Sequence, residues 1–361
     1  MAADNTFFPP SKPSVLPFWG EAGDAALAAQ IKALVQRAAR IVITGHEKPD
    51  GDCIGSEVAL CAILRESGFS AEIIASDPAP PKYQFLVCGG GPPIPGNPQV
   101  PMRVAATGER IDADLCFVLD ATDLSRIGRV KSSIEGVPAI VNMDHHLANP
   151  NFGAVNWVDT RACATGELVW RLAASCQWPV PLLGMQALYA AMVTDTGQFS
   201  YSNTTPRALR MAAELVERGV DPEAIWQRIY LNKSHAELEL ENRVRASLKC
   251  IAGGRICMMT LAQEDFLATG TGPANTEEMI SIPRSLQGVD LAIFFYALNG
   301  GAQTKVSLRS TRKIDAAALA RRFGGGGHRQ AAGFSFNGPI AEAQKLFLPV
   351  AEQAVLESPG S

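Results

Sequence analysis

Ala139-Ile140-Val141-Asn142-Met143-Asp144-His145-His146 is the stretch whose reading decides the fold. Its leading residues lean apolar and predict a short buried strand, and the polar triplet falls where that strand ends. The chain has five histidines, and two stand side by side here. Desolvating a carboxylate and two imidazoles together costs several kcal/mol unless something pairs with them. A metal ion is the natural partner, so the other strand ends are where further ligands belong.

Three more apolar runs end in the same way. Arg40-Ile41-Val42-Ile43-Thr44 leads into Gly45-His46-Glu47-Lys48-Pro49-Asp50-Gly51-Asp52, after which Val58, Leu60, Ile63 and Leu64 mark a helix. Pro49 stops the strand, and Gly45 and Gly51 permit tight turns. Two aspartates and a histidine exceed what helix capping alone requires. Ala71–Ala75 is a second strand, with Asp77 in the turn after it, and Leu115–Leu119 is a third, closed by Asp120 with Asp123 and Arg126 following. Strand-then-helix alternation with apolar strands predicts an α/β fold: a parallel sheet with helices on both faces. Ligands of such sheets bind beyond the carboxyl ends of the strands. That one edge gathers His46, Asp50, Asp52, Asp120, Asp144, His145 and His146.

Helical patterns follow over Thr165–Ala174 and Leu182–Val193, the second running into Thr194-Asp195-Thr196-Gly197. Read by itself, Asp195 is as well explained as a turn residue as by a ligand role. A polar loop, 198–206, leads to another helix, with Thr204 or Thr205 as its N-cap. Residues 219–248, rich in Glu, Arg and Lys, predict a helical linker rather than core. From Arg255 short strands return, over Ile256–Leu261, Leu291–Leu298, Lys305–Leu308 and Phe334–Phe336, with a helix from about Asp315 to Phe323. The expected organisation is an extended Pro-rich arm (1–20), a metal-binding α/β domain (21–218), the linker (219–248) and a smaller α/β domain (249–356), then a short tail.

Composition narrows the function. With 47% hydrophobic residues among 361, the chain can bury a sizeable core. A formal net charge of −4 argues against tight binding to long duplex nucleic acid, which needs many phosphate contacts. Eight scattered cysteines without a Cys-x-x-Cys pair predict reduced thiols in a cytoplasmic protein. No apolar run approaches a membrane span, and the amino terminus lacks the pattern of a targeting segment. Gly89–Pro98 has no Lys-Ser/Thr sequel, so it is a surface loop rather than a phosphate-binding P-loop.

The candidate ligands are imidazole and carboxylate, which suit Mn²⁺ or Mg²⁺ and also admit Zn²⁺, Co²⁺ and Fe²⁺. So many carboxylates repel around one ion. Two ions sharing one carboxylate relieve the repulsion and give the arrangement used for in-line displacement at phosphorus. In the second domain, Gly324-Gly325-Gly326-Gly327-His328 could bring backbone N–H groups close to an anion, or simply form a flexible turn.

His46-x-x-x-Asp50-x-Asp52, Asp120, Asp144-His145-His146 and Asp195 resemble, in order, the four motifs of the DHH phosphoesterase superfamily. The run from Gly324 to Gly333 resembles the signature of that family's associated carboxy-terminal domain. The length and two-domain layout are similar to the nanoRNase type. The resemblance implies a phosphodiesterase, with exonuclease and phosphatase character, acting on very short oligonucleotides and on 3′-phosphoadenosine 5′-phosphate. It implies two divalent ions, manganese first, with magnesium or cobalt as substitutes. His46, Asp50 and Asp120 would hold one ion; Asp52, Asp120, His145 and Asp195 would hold the other. His146 would contact the scissile phosphate, and Asp144 would orient an imidazole. Arg309 and His328, beside Gly326 and Gly327, would grip the substrate, while Arg126 and Asn203 either line the cleft or serve structure. Dimers are also implied. A cyclic-dinucleotide phosphodiesterase would use the same motifs. A pyrophosphatase would lack the Gly-rich signature, and a recombination exonuclease would carry a further domain. A non-enzymatic nucleotide sensor would be expected to have lost ligands.

Overall fold

A computed structural model of the chain describes residues 21, 23–87, 100–231, 233–276 and 279–358. The expected arm (1–20) and the loop Gly89–Pro98 lie outside the described residues. The chain divides into two compact units between residues 232 and 233.

In the first unit, apolar runs too short for helices pair into one sheet: β1 (Ile41–Thr44), β2 (Ala71–Ala75), β3 (Met102–Val104), β4 (Leu115–Leu119), β5 (Ala139–Asp144) and β6 (Val155–Val158). The order is β3-β2-β1-β4-β5-β6, with every neighbouring pair parallel. The order reverses between β1 and β4, and a ligand crevice forms at such a switch point. The loops after β1, β4 and β5 therefore open side by side.

The helices are α1 (Asp24–Arg37), α2 (Gly51–Glu66), α3 (Val130–Ser133), α4 (Thr165–Cys176), α5 (Leu182–Asp195), α6 (Pro206–Glu217) and α7 (Pro222–Tyr230). They cover the two faces unequally. Residues of α1, α2, α4 and α5 pack on Ile41, Ile43, Ile73, Phe117 and Leu119, whereas the opposite face, with Val42, Ile74 and Val118, is closed by α3 and nearby loops. Helix α2 is buried from Gly51 through Leu64. It lies against α5 so closely that a Cβ on Gly55 would sit 2.5 Å from the Ala187 carbonyl oxygen, and one on Gly51 would strike Thr194. The two helices are thus antiparallel, and the end of α5 is brought to the start of α2.

The second unit holds β7 (Lys249–Ile251), β8 (Ile256–Leu261), β9 (Leu291–Leu298), β10 (Gln303–Ser310), β11 (Gly326–His328) and β12 (Ala331–Asn337), in the order β11-β12-β10-β9-β8-β7. Only β8 and β9 pair in parallel. Its helices are α8 (His235–Ala246), α9 (Gln263–Thr269), α10 (Ser281–Arg284), α11 (Ala316–Arg321) and α12 (Ile340–Glu357). Phe347, Ala351 and Val355 of α12 pack on Ile293, Phe295 and Val306, while Leu240 and Val244 of α8 pack on Leu261 and Phe294. The stretch expected as a linker contains α7 and α8. Ile225 and Ile229 of α7 belong to the first core, and Leu240 and Val244 of α8 to the second.

One expectation is corrected. Cys250 and Cys257 are joined in a disulfide rather than being reduced thiols. They are direct partners across the antiparallel β7–β8 pair, a proximity set by strand register rather than by any Cys-x-x-Cys spacing. Cys53, Cys61, Cys116, Cys163 and Cys176 are buried and lie outside that disulfide. Among the described residues no helix is long and apolar enough to cross a membrane.

Candidate metal centre

Asp120 lies at the centre of the site. It follows β4 with φ at +55°, the left-handed region that few non-glycine residues adopt. Its backbone N–H donates to the Met143 carbonyl of β5, which keeps the turn against the neighbouring strand. The side chain is 3% exposed. Oδ2 lies 3.5 Å from His46 Nε2, while Oδ1 lies 3.7 Å from His145 Nε2. The two carboxylate oxygens thus face two different imidazoles.

On the first side, His46 donates from Nδ1 to the Glu47 carbonyl at 2.9 Å, which turns Nε2 toward the carboxylates. That nitrogen is 3.7 Å from Asp50 Oδ1. Asp50 is the N-cap of α2 and accepts from the backbone N–H groups of Asp52 and Cys53. Burial disfavours charge on His46, whereas 47% of the Asp50 side chain is exposed. Their mutual attraction, with Asp120 adding to it, outweighs burial, so His46 is held well above the usual imidazole range and Asp50 below the usual carboxylate range. The Cys53 thiol is also close to His46 and Asp120, but burial pushes its pKa well up and keeps it neutral.

On the second side, His145 Nε2 is 3.7 Å from Asp52 Oδ2 and 3.8 Å from Asp195 Oδ2. Asp52 stands in the first turn of α2 and Asp195 ends α5, so the antiparallel packing of those helices delivers both. Burial opposes protonation of His145, yet Asp195, Asp52 and Asp120 raise its pKa to about 10. Burial and neighbouring carboxylates likewise push Asp52 well up, and Asp195 rises to about 6 despite the opposing pull of His145. Carboxylates so crowded and so dry need positive charge among them. The donor set of carboxylate oxygens and imidazole nitrogens fits hard or borderline divalent cations.

Asp144, fully buried, does not face this space. Its Oδ1 accepts from the backbone N–H groups of His145 and His146 and from His146 Nδ1 at 2.7 Å, and its Oδ2 accepts from Asn149 Nδ2 at 2.8 Å. Burial alone would raise its pKa, but His146 and Asn149 bring it down to about 2. The imidazole it orients is that of His146, which also lies 3.7 Å from Asp120 Oδ1.

Asn203, half-buried, is hydrogen-bonded to a residue of the site. Its Nδ2 donates to Asp195 Oδ2 at 3.0 Å and to the carbonyls of Cys163 and Asp195. Arg126 is exposed in the turn after β4, and its carbonyl accepts the Glu47 N–H beside His46. Four contributors were not anticipated from the sequence: Asn149, which holds Asp144; Glu57, a buried carboxyl that burial pushes up to about 8; and Thr165 with Gly166, whose backbone N–H groups bind Asp52. Thr165 had a local signal, since it opens a helical pattern; Asn149 and Glu57 are ordinary polar residues, and Gly166 an ordinary glycine, until the fold places them.

In the second unit, Arg309 of β10 and His328 of β11 are both registered against Ala331 of β12, so the two positions share one row of the sheet. The Gly-rich run forms an edge strand there, not a free turn. A Cβ on Gly325 or Gly327 would strike the carbonyl of Gly333 or Ala331, whereas Gly326 faces open space. Arg309 also lines a cavity of about 260 Å³ with Arg284, Arg312 and Gln330, three guanidinium groups around one small volume.

Comparison with known proteins agrees with this architecture. Residues 40–193 match the DHH family, N-terminal domain, and residues 257–357 match the DHHA1 domain. The chain is 29% identical over 326 residues to the bifunctional oligoribonuclease and PAP phosphatase of Thermus thermophilus, covering 88% of each chain. It is 25% identical over 300 residues to the protein of the same name from Bacillus subtilis, covering 82% of this chain and 88% of the other. The crystal structure of an exopolyphosphatase-related protein from Bacteroides fragilis superposes with a TM-score of 0.79 at 26% identity, covering 92% of this chain and 96% of that one. With its two domains matched in order and a strand-end cluster of aspartates and histidines in the first, the chain belongs to the DHH family.

Proposed function

We propose that this protein is a phosphoesterase that uses two divalent cations, manganese before magnesium or cobalt, to hydrolyse short oligonucleotides and 3′-phosphoadenosine 5′-phosphate. The observation that carries the reading is the Asp120 carboxylate, whose oxygens face His46 and His145 separately. His46, Asp50 and Asp120 would hold one cation, and Asp52, Asp120, His145 and Asp195 the other. Bound there, the pair supplies positive charge to a scissile phosphate and lowers the pKa of an attacking water. The protein's own contribution is orientation. Asp144 fixes the Nδ1 proton of His146, which leaves Nε2 to meet the phosphate. Arg309, with the backbone at Gly326 and Gly327 and with His328, would bind a phosphate or base of the substrate.

Support for this substrate class comes from relatives named as oligoribonuclease and PAP phosphatase, similar along both domains. The same reading places the enzyme in the cytoplasm and leaves long duplex nucleic acid outside its substrates. The test is metal-stripped enzyme reloaded with Mn²⁺, Mg²⁺, Co²⁺ or Ca²⁺ and assayed in parallel on a dinucleotide, a longer oligomer, 3′-phosphoadenosine 5′-phosphate and a cyclic dinucleotide. The expected result is best recovery with Mn²⁺ and fastest turnover of the dinucleotide and the 3′-phosphorylated nucleotide. Preferential turnover of the cyclic dinucleotide would replace this reading with a cyclic-dinucleotide phosphodiesterase. Recovery with Ca²⁺ above Mn²⁺ would contradict the chemistry.

A further inference from the structure

Thr165 opens α4, is fully buried, and reaches two aspartates of the site at once. Its hydroxyl donates to Asp120 Oδ1 at 3.1 Å, and its backbone N–H donates to Asp52 Oδ2 at 2.6 Å. The next residue, Gly166, donates its N–H to Asp52 Oδ1 at 3.0 Å. The α4 N-terminus therefore braces Asp52 through backbone groups, whereas the hold on Asp120 is through a side chain. That difference matters because a carboxylate turns easily about its terminal torsion, which is broad rather than confined to sharp wells. Asp120 must keep Oδ2 towards His46 and Oδ1 towards His145 if it is to be shared. A hydroxyl on Oδ1 sets that rotation and still leaves the oxygen a lone pair.

We infer that Thr165 is a positioning residue that fixes how Asp120 is shared between two cations, and so controls loading of the second one. The inference rests on the two-cation reading above. It assigns Thr165 no contact with substrate.

Thr165→Val tests it, because the branched shape and the backbone N–H remain while the hydroxyl goes. Metal-free wild type and variant are titrated with Mn²⁺, followed by electron paramagnetic resonance and calorimetry. In wild type, the second equivalent is expected to convert the signal of isolated ions into that of an exchange-coupled pair. In Thr165→Val, affinity for the second equivalent is expected to fall roughly 10- to 100-fold, the range seen when an outer hydrogen-bond partner of a metal ligand is removed. Thr165→Ser is expected to restore the coupled signal. A valine variant that titrates like wild type overturns the role of Thr165 and leaves the two-cation reading intact. Wild type that never gives a coupled pair overturns both. Should circular dichroism show the valine variant unfolded, Thr165→Ser carries the test, since loss of the pair signal in that hydroxyl-bearing variant overturns the inference.

Discussion

His146 Nδ1 sits 2.7 Å from Asp144 Oδ1, and that carboxylate, pulled down to about 2, can only accept. The proton between them therefore belongs to the imidazole, and Nε2 is left for the site. An amide in place of the carboxylate can turn its NH₂ toward Nδ1 and reverse the tautomer. Asp144→Asn is thus expected to lower kcat by roughly 10- to 100-fold with little change in bound metal. Steady-state rates alongside elemental analysis check this; an unchanged kcat would remove Asp144 from the mechanism.

Asp120→Ala takes away the group shared between the two halves of the site. Several kcal/mol of charge stabilisation depend on a correctly spaced cation pair, so the rate is expected to drop by roughly 10³-fold or more. A variant that keeps a tenth of the wild-type rate would exclude Asp120 as the bridge.

The convergence of His46, Asp120 and Asp144 was legible in the sequence because each ends an apolar run, and parallel strands point their carboxyl ends the same way. Asp195 was not legible in that way. It ends a helix, and only the close packing of α5 on α2, visible at Gly55 and Gly51, brings it to Asp52. The short strands Met102–Val104 and Val155–Val158 went unread because Arg103 and Asn156 interrupt runs that are already short; register with neighbouring strands creates them. The helix Ile340–Glu357 was also missed, and it holds an internal proline, Pro349. Asn149, Asn203 and Thr165 act through hydrogen bonds to residues that only the fold makes adjacent.

Asn203→Leu should separate support from ligation. The amide holds Asp195 Oδ2 and two carbonyls around it, so Asp195 remains present but loses its orientation. Metal affinity is expected to weaken by roughly 10- to 100-fold, with activity recoverable at high Mn²⁺. Calorimetric titration decides the matter. Wild-type affinity in the variant would return Asn203 to a plain loop role.

Arg309→Ala tests the second unit. If the arginine holds the far end of a nucleotide, its loss should raise KM for a dinucleotide while leaving turnover of a small artificial phosphodiester, which has no far end, nearly unchanged. Charge-assisted hydrogen bonds of about 1.5–3 kcal/mol correspond to roughly a 10- to 100-fold rise in KM. Equal losses on both substrates would mean that Arg309 acts through folding.

Asp290 gives a pH-dependent stability prediction away from the site. Its carboxylate accepts from Arg255 Nε at 2.7 Å and from Thr311 Oγ1 at 3.2 Å, with Lys313 Nζ at 3.5 Å. Arg255 in turn donates to the Val355 carbonyl and to Ser358 Oγ, tying the end of α12 to the start of β8. Burial alone would raise the Asp290 pKa, but the Arg255 hydrogen bond and the two cations hold it below the usual carboxylate range. A carboxylate with a depressed folded-state pKa adds stability that is fully present above its unfolded pKa, about 3.9. That stability is lost as pH falls through the folded value. Asp290→Asn is therefore expected to cost about 1–3 kcal/mol near neutral pH, with the gap from wild type narrowing below about pH 4. Thermal melts from pH 7 to pH 3 measure it. A gap in Tm that stays constant across that range would show that the ionised carboxylate contributes nothing beyond what the amide supplies.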